Sequence, residues 1–123
     1  MASALLSGAF RISNTGNVFN RVLSTTTTIS TWLIQDMVLA NGVSDIVISN
    51  TLLSSPNTII VFGGASLCRI NYSGHASYVS SGSAGWQFKD FWAHIGSGMS
   101  VITGVHFANS SGDSCTVTLI LGA

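Results

Sequence analysis

Four aspartates and three histidines are the candidates for acid–base chemistry: Asp36, Asp45, Asp90 and Asp113, with His75, His94 and His106. Asp90 and His94 fall on one face of a strand, but four residues of extended chain separate them by about 13 Å, too far for a direct hydrogen bond. The three histidines could meet as a metal site, for instance around a three-fold axis with one ligand per subunit. Their spacing matches no ligand motif, and isolated histidines in strands and turns are more often packing or surface residues.

The run "GDSC" (112–115) could present Ser114 as a nucleophile. No partnered histidine context accompanies it, and a hairpin turn beginning Gly-Asp accounts for it better. The glycines of "GGAS" and "GSGMS" lack the following Lys and the strand-to-helix context of a phosphate cradle. The sequence predicts no enzyme, no metal and no cofactor.

Aromatic residues carry more information. "WQFKDFWAH" (86–94) holds two tryptophans and two phenylalanines. As one strand it would place Trp86, Phe88, Trp92 and His94 on one face with Asp90. Gln87, Lys89, Phe91 and Ala93 would lie on the other, with Ile95 in phase. Both faces are then apolar, where an outer strand should have one dry and one wet face. The expected resolution is that Phe91, Ala93 and Ile95 pack the core, while Trp86, Phe88, Trp92 and His94 meet a second copy or another partner. The competing arrangement is a β-bulge at Lys89–Asp90 that shifts the phase, turns Trp86, Phe88, Phe91 and Ala93 inward and leaves Trp92 outside. Exposed tryptophans also suit sugar stacking, which keeps a carbohydrate-binding module open.

The elements that position these residues follow from composition. The chain has 123 residues, of which 46% are hydrophobic and 7% charged, with formal net charge zero. Domains of ordinary composition are about a quarter charged. No Glu occurs, and the polarity comes from Ser, Thr, Asn and Gly. Such a surface has little charge repulsion and favours association. Four scattered cations cannot form a nucleic-acid stripe. No apolar run approaches membrane-spanning length, and the start "MASALLSGAF" has no basic segment of a signal peptide. Synthesis in a cytoplasm is the expectation.

Ser and Thr make up about a quarter of the chain, and β-branched runs are cut by Gly, Asn and Ser. That rhythm predicts many short strands: 17–23, 25–40 (broken somewhere), 44–49, 57–63, 66–72, 76–80, 86–95, 99–107 and 114–121. A helix over "TWLIQDMVLA" is disfavoured because it gives no clean apolar stripe. Alternation places Cys115, Val117, Leu119 and Leu121 on the core face of the last strand, and Cys68, Ile70 and Tyr72 on that of an earlier one. Both cysteines then point inward as buried thiols, with a disulfide open if their strands are neighbours. The fold class expected is all-β: an antiparallel β-sandwich, a jelly roll, with residues 1–16 as an extended N-terminal arm and 17–123 as one sandwich domain.

The C-terminal third, "FWAHIGSGMSVITGVHFANSSGDSCTVTLILGA", resembles the close of small jelly-roll proteins from tailed-phage virions. The matching residues are Gly96 and Gly98, Ser100 and Val101, Gly104, Asn109 to Gly112, and Thr116 to Leu121. The same pattern looks like the trimeric jelly rolls of the tumour-necrosis-factor and complement C1q type. The resemblance implies a non-enzymatic virion structural protein of capsid decoration or cement type, a homotrimer that touches the major capsid protein or another virion protein. A tail or fibre component is the nearest alternative. Neither nucleic acid nor membrane is an expected partner.

Overall fold

Among the described residues of the computed structural model, runs rich in Val, Ile and Thr, separated by Gly, Asn and Ser, form ten strands, with one 3-10 turn at Gly82–Ala84. The residues described are 2–14, 17–29, 31–49, 53, 56, 58–73, 80–95 and 102–123. The strands are β1 (Ala2–Asn14), β2 (Asn17–Ile29), β3 (Trp32–Leu39), β4 (Val43–Ser49), β5 (Thr58–Phe62), β6 (Cys68–Tyr72), β7 (Trp86–Phe88), β8 (Phe91–Ile95), β9 (Gly104–Asn109) and β10 (Cys115–Gly122). Of the expected strand 76–80, all but Ser80 lies outside the described residues, as does His75.

The chain divides into residues 1–30 and 31–123. In the first unit β1 and β2 pair antiparallel over their whole length, from Ala2 opposite Ile29 to Asn14 opposite Asn17. The division therefore falls at 30/31, not at the expected 16/17. Residues 17–29, read from sequence as the first strands of the sandwich, commit their ladder to β1.

The second unit holds two four-stranded antiparallel sheets, ordered β3-β10-β5-β8 and β4-β9-β6-β7. The pairings nest: β3 with β10, β4 with β9, β5 with β8, β6 with β7. A long hairpin folded over on itself gives this order, and the result is the jelly roll expected from sequence. The unit is closed at its start and end by reciprocal hydrogen bonds between Thr31 and Ala123, at 3.3 and 2.9 Å.

Period-two alternation fills the space between the sheets. Cys115, Val117, Leu119 and Leu121 of β10 are buried there, opposite Cys68, Ile70 and Tyr72 of β6, with Val105 and Phe107 of β9 beside them. β5 is buried on nearly its whole length, since Ile59 and Val61 face the core while Thr58 and Ile60 are covered on the other side. The sequence "SSGSAG" (80–85), readable only as turn punctuation, packs flat on the outside of the second sheet. A Cβ on Gly82 would collide with the Phe107 carbonyl, and one on Gly85 with the Ile70 carbonyl oxygen. Glycine is required at both positions for this close approach.

Candidate functional site

The segment 86–94 is not one strand. β7 pairs with β6 in the second sheet, whereas β8 pairs with β5 in the first. The chain changes sheets at Lys89–Asp90, and Asp90 takes a positive φ of 63° to do so. The turn is anchored on the Gly63–Gly64 backbone: the Gly63 amide donates to the Asp90 carbonyl (2.7 Å), and the Asp90 amide to the Gly64 carbonyl (2.9 Å).

This crossing corrects both sequence-based arrangements. Because one strand leaves each sheet edge, Phe88 on one and Trp92 on the other turn toward the space between the sheets. Phe88 is only 5% exposed and its ring lies 6.3 Å from that of Phe107, so it is unavailable to a partner. Trp92 packs against the core. His94 Nδ1 lies 2.6 Å from the Tyr72 hydroxyl. The half-exposed Trp86 ring sits 5.7 Å from Tyr72 and 5.9 Å from Trp92. The four residues expected at an interface thus form, with Tyr72, an aromatic closure of the sandwich edge, and burial raises the Tyr72 pKa. Phe91 and Ala93, expected inside, lie on the outer face of the first sheet.

That outer face is the largest surprise. Register aligns Ile34, Ile120, Ile60 and Ala93 in one row across all four strands, and Asp36, Thr118, Phe62 and Phe91 in the next. Trp32, Ile34, Val38, Phe62 and Phe91 are 38–62% exposed. Asp36 is the one charged residue in these two rows, and it accepts a hydrogen bond from Thr118. The signal was present in sequence: Trp32, Ile34 and Val38 alternate with Leu33, Met37 and Leu39, so β3 is apolar on both faces just as 86–94 is.

The titratable groups are dispersed. His106 Nδ1 lies 2.8 Å from Asp45 Oδ1, which also accepts from the Gly82 amide at 3.2 Å and so ties the 80–85 loop to the sheet. His94 belongs to the opposite sheet. Among the described residues no group of three or more His, Cys, Asp or Glu side chains could hold a metal ion. Ser114 follows a hairpin turn organised by Asn109, whose Oδ1 accepts from the Ser111 amide (3.0 Å) and hydroxyl (2.7 Å). Cys68 and Cys115 are free and buried. Burial, then the neighbouring Cys115, pushes the Cys68 thiol up to about 11.

The outer face of the second sheet is polar and concave. Gln87, Arg69 and Ala108 stand side by side across β7, β6 and β9. They floor a groove of about 500 Å³, walled by Ser83, Leu67 and Asp113 among others. Arg69 Nη1 donates to the Gly85 carbonyl at 2.8 Å, which fixes its head group at the groove.

Comparison with known proteins places the chain in no group: no family model, no curated protein and no solved structure matches it.

Proposed function

We propose that the chain is a non-enzymatic structural protein of a virus particle, a jelly-roll subunit that self-associates, as a homotrimer, and decorates or cements a capsid. One observation carries the self-association: the exposed apolar side chains on the outer face of the β3-β10-β5-β8 sheet. Its five most exposed apolar side chains present about 500 Å². At about 25 cal/mol per Å², burying 500 Å² is worth on the order of 12 kcal/mol per subunit, comparable with association costs of roughly 4–15 kcal/mol. Left in water, such a patch is an aggregation liability.

The occupant that fits is another copy of the chain. The face carries almost no charge with which to select a charged partner, and the whole chain has only eight charged residues. The capsid reading adds the sequence resemblance and the use of jelly rolls as capsid domains. On this reading the major capsid protein or another virion protein is the second partner, and a tail or fibre position is the alternative. Replacing Ile34→Glu together with Phe62→Glu, both on exposed positions of the face, should convert the oligomer to a folded monomer in sedimentation velocity. An oligomer of unchanged size would remove this face from the account.

A further inference from the structure

We infer that the groove on the outer face of the β4-β9-β6-β7 sheet is a binding site for a neutral, hydroxyl-rich ligand, a short glycan. The site does not depend on the virion reading, and it lies on the opposite sheet from the apolar face, so self-association through that face leaves it open.

The groove is built and held before any ligand arrives. Its floor drops at Ala108, the small residue beside Arg69 in the β6–β9 register. One wall is the 80–85 loop, tied down by the Ser83 hydroxyl on the Ser44 carbonyl (3.2 Å) and by Arg69 on Gly85. The far wall is the 110–113 turn. There Asn109 Nδ2 donates to the Leu39 and Asp113 carbonyls, both at 2.8 Å, and the Gly112 amide donates to Asn41 Oδ1 at 3.0 Å. Rigid walls reduce the ordering cost of binding.

The lining selects the ligand class. Arg69 and Asp113 both line the groove, and the salt bridge among the described residues is His106–Asp45, so these two charges do not pair with each other. One cation and one anion leave no net attraction for a phosphate or a metal ion. A guanidinium offers only donors and a carboxylate only acceptors, while Ser and Gln groups do both. A sugar hydroxyl donates and accepts at once and can satisfy each of them. Leu67, 47% exposed, and Val43 supply apolar surface for the C–H face of a ring. The volume lies in the ~300–1,000 Å³ range of small-ligand sites. Among the described residues no Trp or Tyr lines the groove, so recognition there is by hydrogen bonds and not by the aromatic stacking that the sequence left open as an alternative.

The test is ligand-observed saturation-transfer NMR on the full chain, with trisaccharides of glucose, mannose, galactose and N-acetylglucosamine as probes and inorganic phosphate and calcium titrated calorimetrically beside them. At least one trisaccharide should show transfer, with affinity reduced at least tenfold by Asp113→Ala and by Ala108→Phe and unaffected by Trp86→Ala. Gln87→Ala, on an exposed side chain, keeps the test decisive if Ala108→Phe fails to fold. Transfer from none of the four sugars, transfer insensitive to Asp113→Ala and Gln87→Ala, or binding of phosphate or calcium with the sugars inert would each overturn the inference. Native mass, read on the same samples, reports separately on self-association.

Discussion

Asp90 and Cys68 show how single residues hold this sandwich together. Asp90 sits at φ 63°, in the left-handed region that Asp tolerates and β-branched residues do not. Asp90→Gly should be neutral or stabilising in urea unfolding, whereas Asp90→Val should cost about 1–2 kcal/mol. Equal stability of the two variants would contradict the sheet-crossing turn. Cys68 binds its proton more tightly when folded, rising from an ordinary 9.0 to about 11. The native state therefore holds a proton that the unfolded chain releases, so this stabilisation is complete below pH 9 and is lost as pH rises from 9 toward 11. The raised Tyr72 acts in the same direction. The thermal midpoint should fall across that window, and Cys68→Ala should flatten the fall. A wild-type midpoint constant from pH 9 to 11 would contradict the buried thiol. The inward direction of Cys68 and Cys115 was legible from alternation alone. The depth of their burial was not, because it depends on which strands face each other.

At the level of elements, strands were legible and their partners were not. β4, β5, β6 and β10 lie within a residue or two of the expected ranges, since Val, Ile and Thr runs bounded by Gly, Asn and Ser mark them locally. The run 86–95 failed as a single strand because alternation carries no information about a change of sheet. Parity continued through Lys89–Asp90, while the ladder partner changed from β6 to β5. For the same reason 17–29 could not be distinguished from a sandwich strand: its partner, β1, is decided by pairing and not by composition. This division can be measured. Deleting residues 1–30 should leave the sandwich folded, with unchanged near-ultraviolet circular dichroism and a cooperative thermal transition, because the buried cluster found among the described residues lies within 31–123. Loss of cooperative unfolding would show that the hairpin completes that core.

On the scale of the whole molecule, the two sheets of one jelly roll are finished differently. The second sheet carries its own polar cover, the 80–85 loop held by Asp45, Asn71 and Arg69. The first has no comparable cover among the described residues of its unit and shows Trp32, Ile34, Val38, Phe62 and Phe91. The sequence announced a surplus of apolar surface through low charge and a doubly apolar strand, but assigned the surplus to Trp86, Phe88, Trp92 and His94. Only the register of four strands, joined across long sequence separations, shows that it gathers on the opposite side of β8 and on β3. The account's central claim is that this face is covered by further copies of the chain. The most direct measurement is the native mass of the purified full-length chain by light scattering across a dilution series. A mass near three times 12.8 kDa that persists on dilution is the result predicted. A monodisperse, soluble species of 12.8 kDa would contradict it.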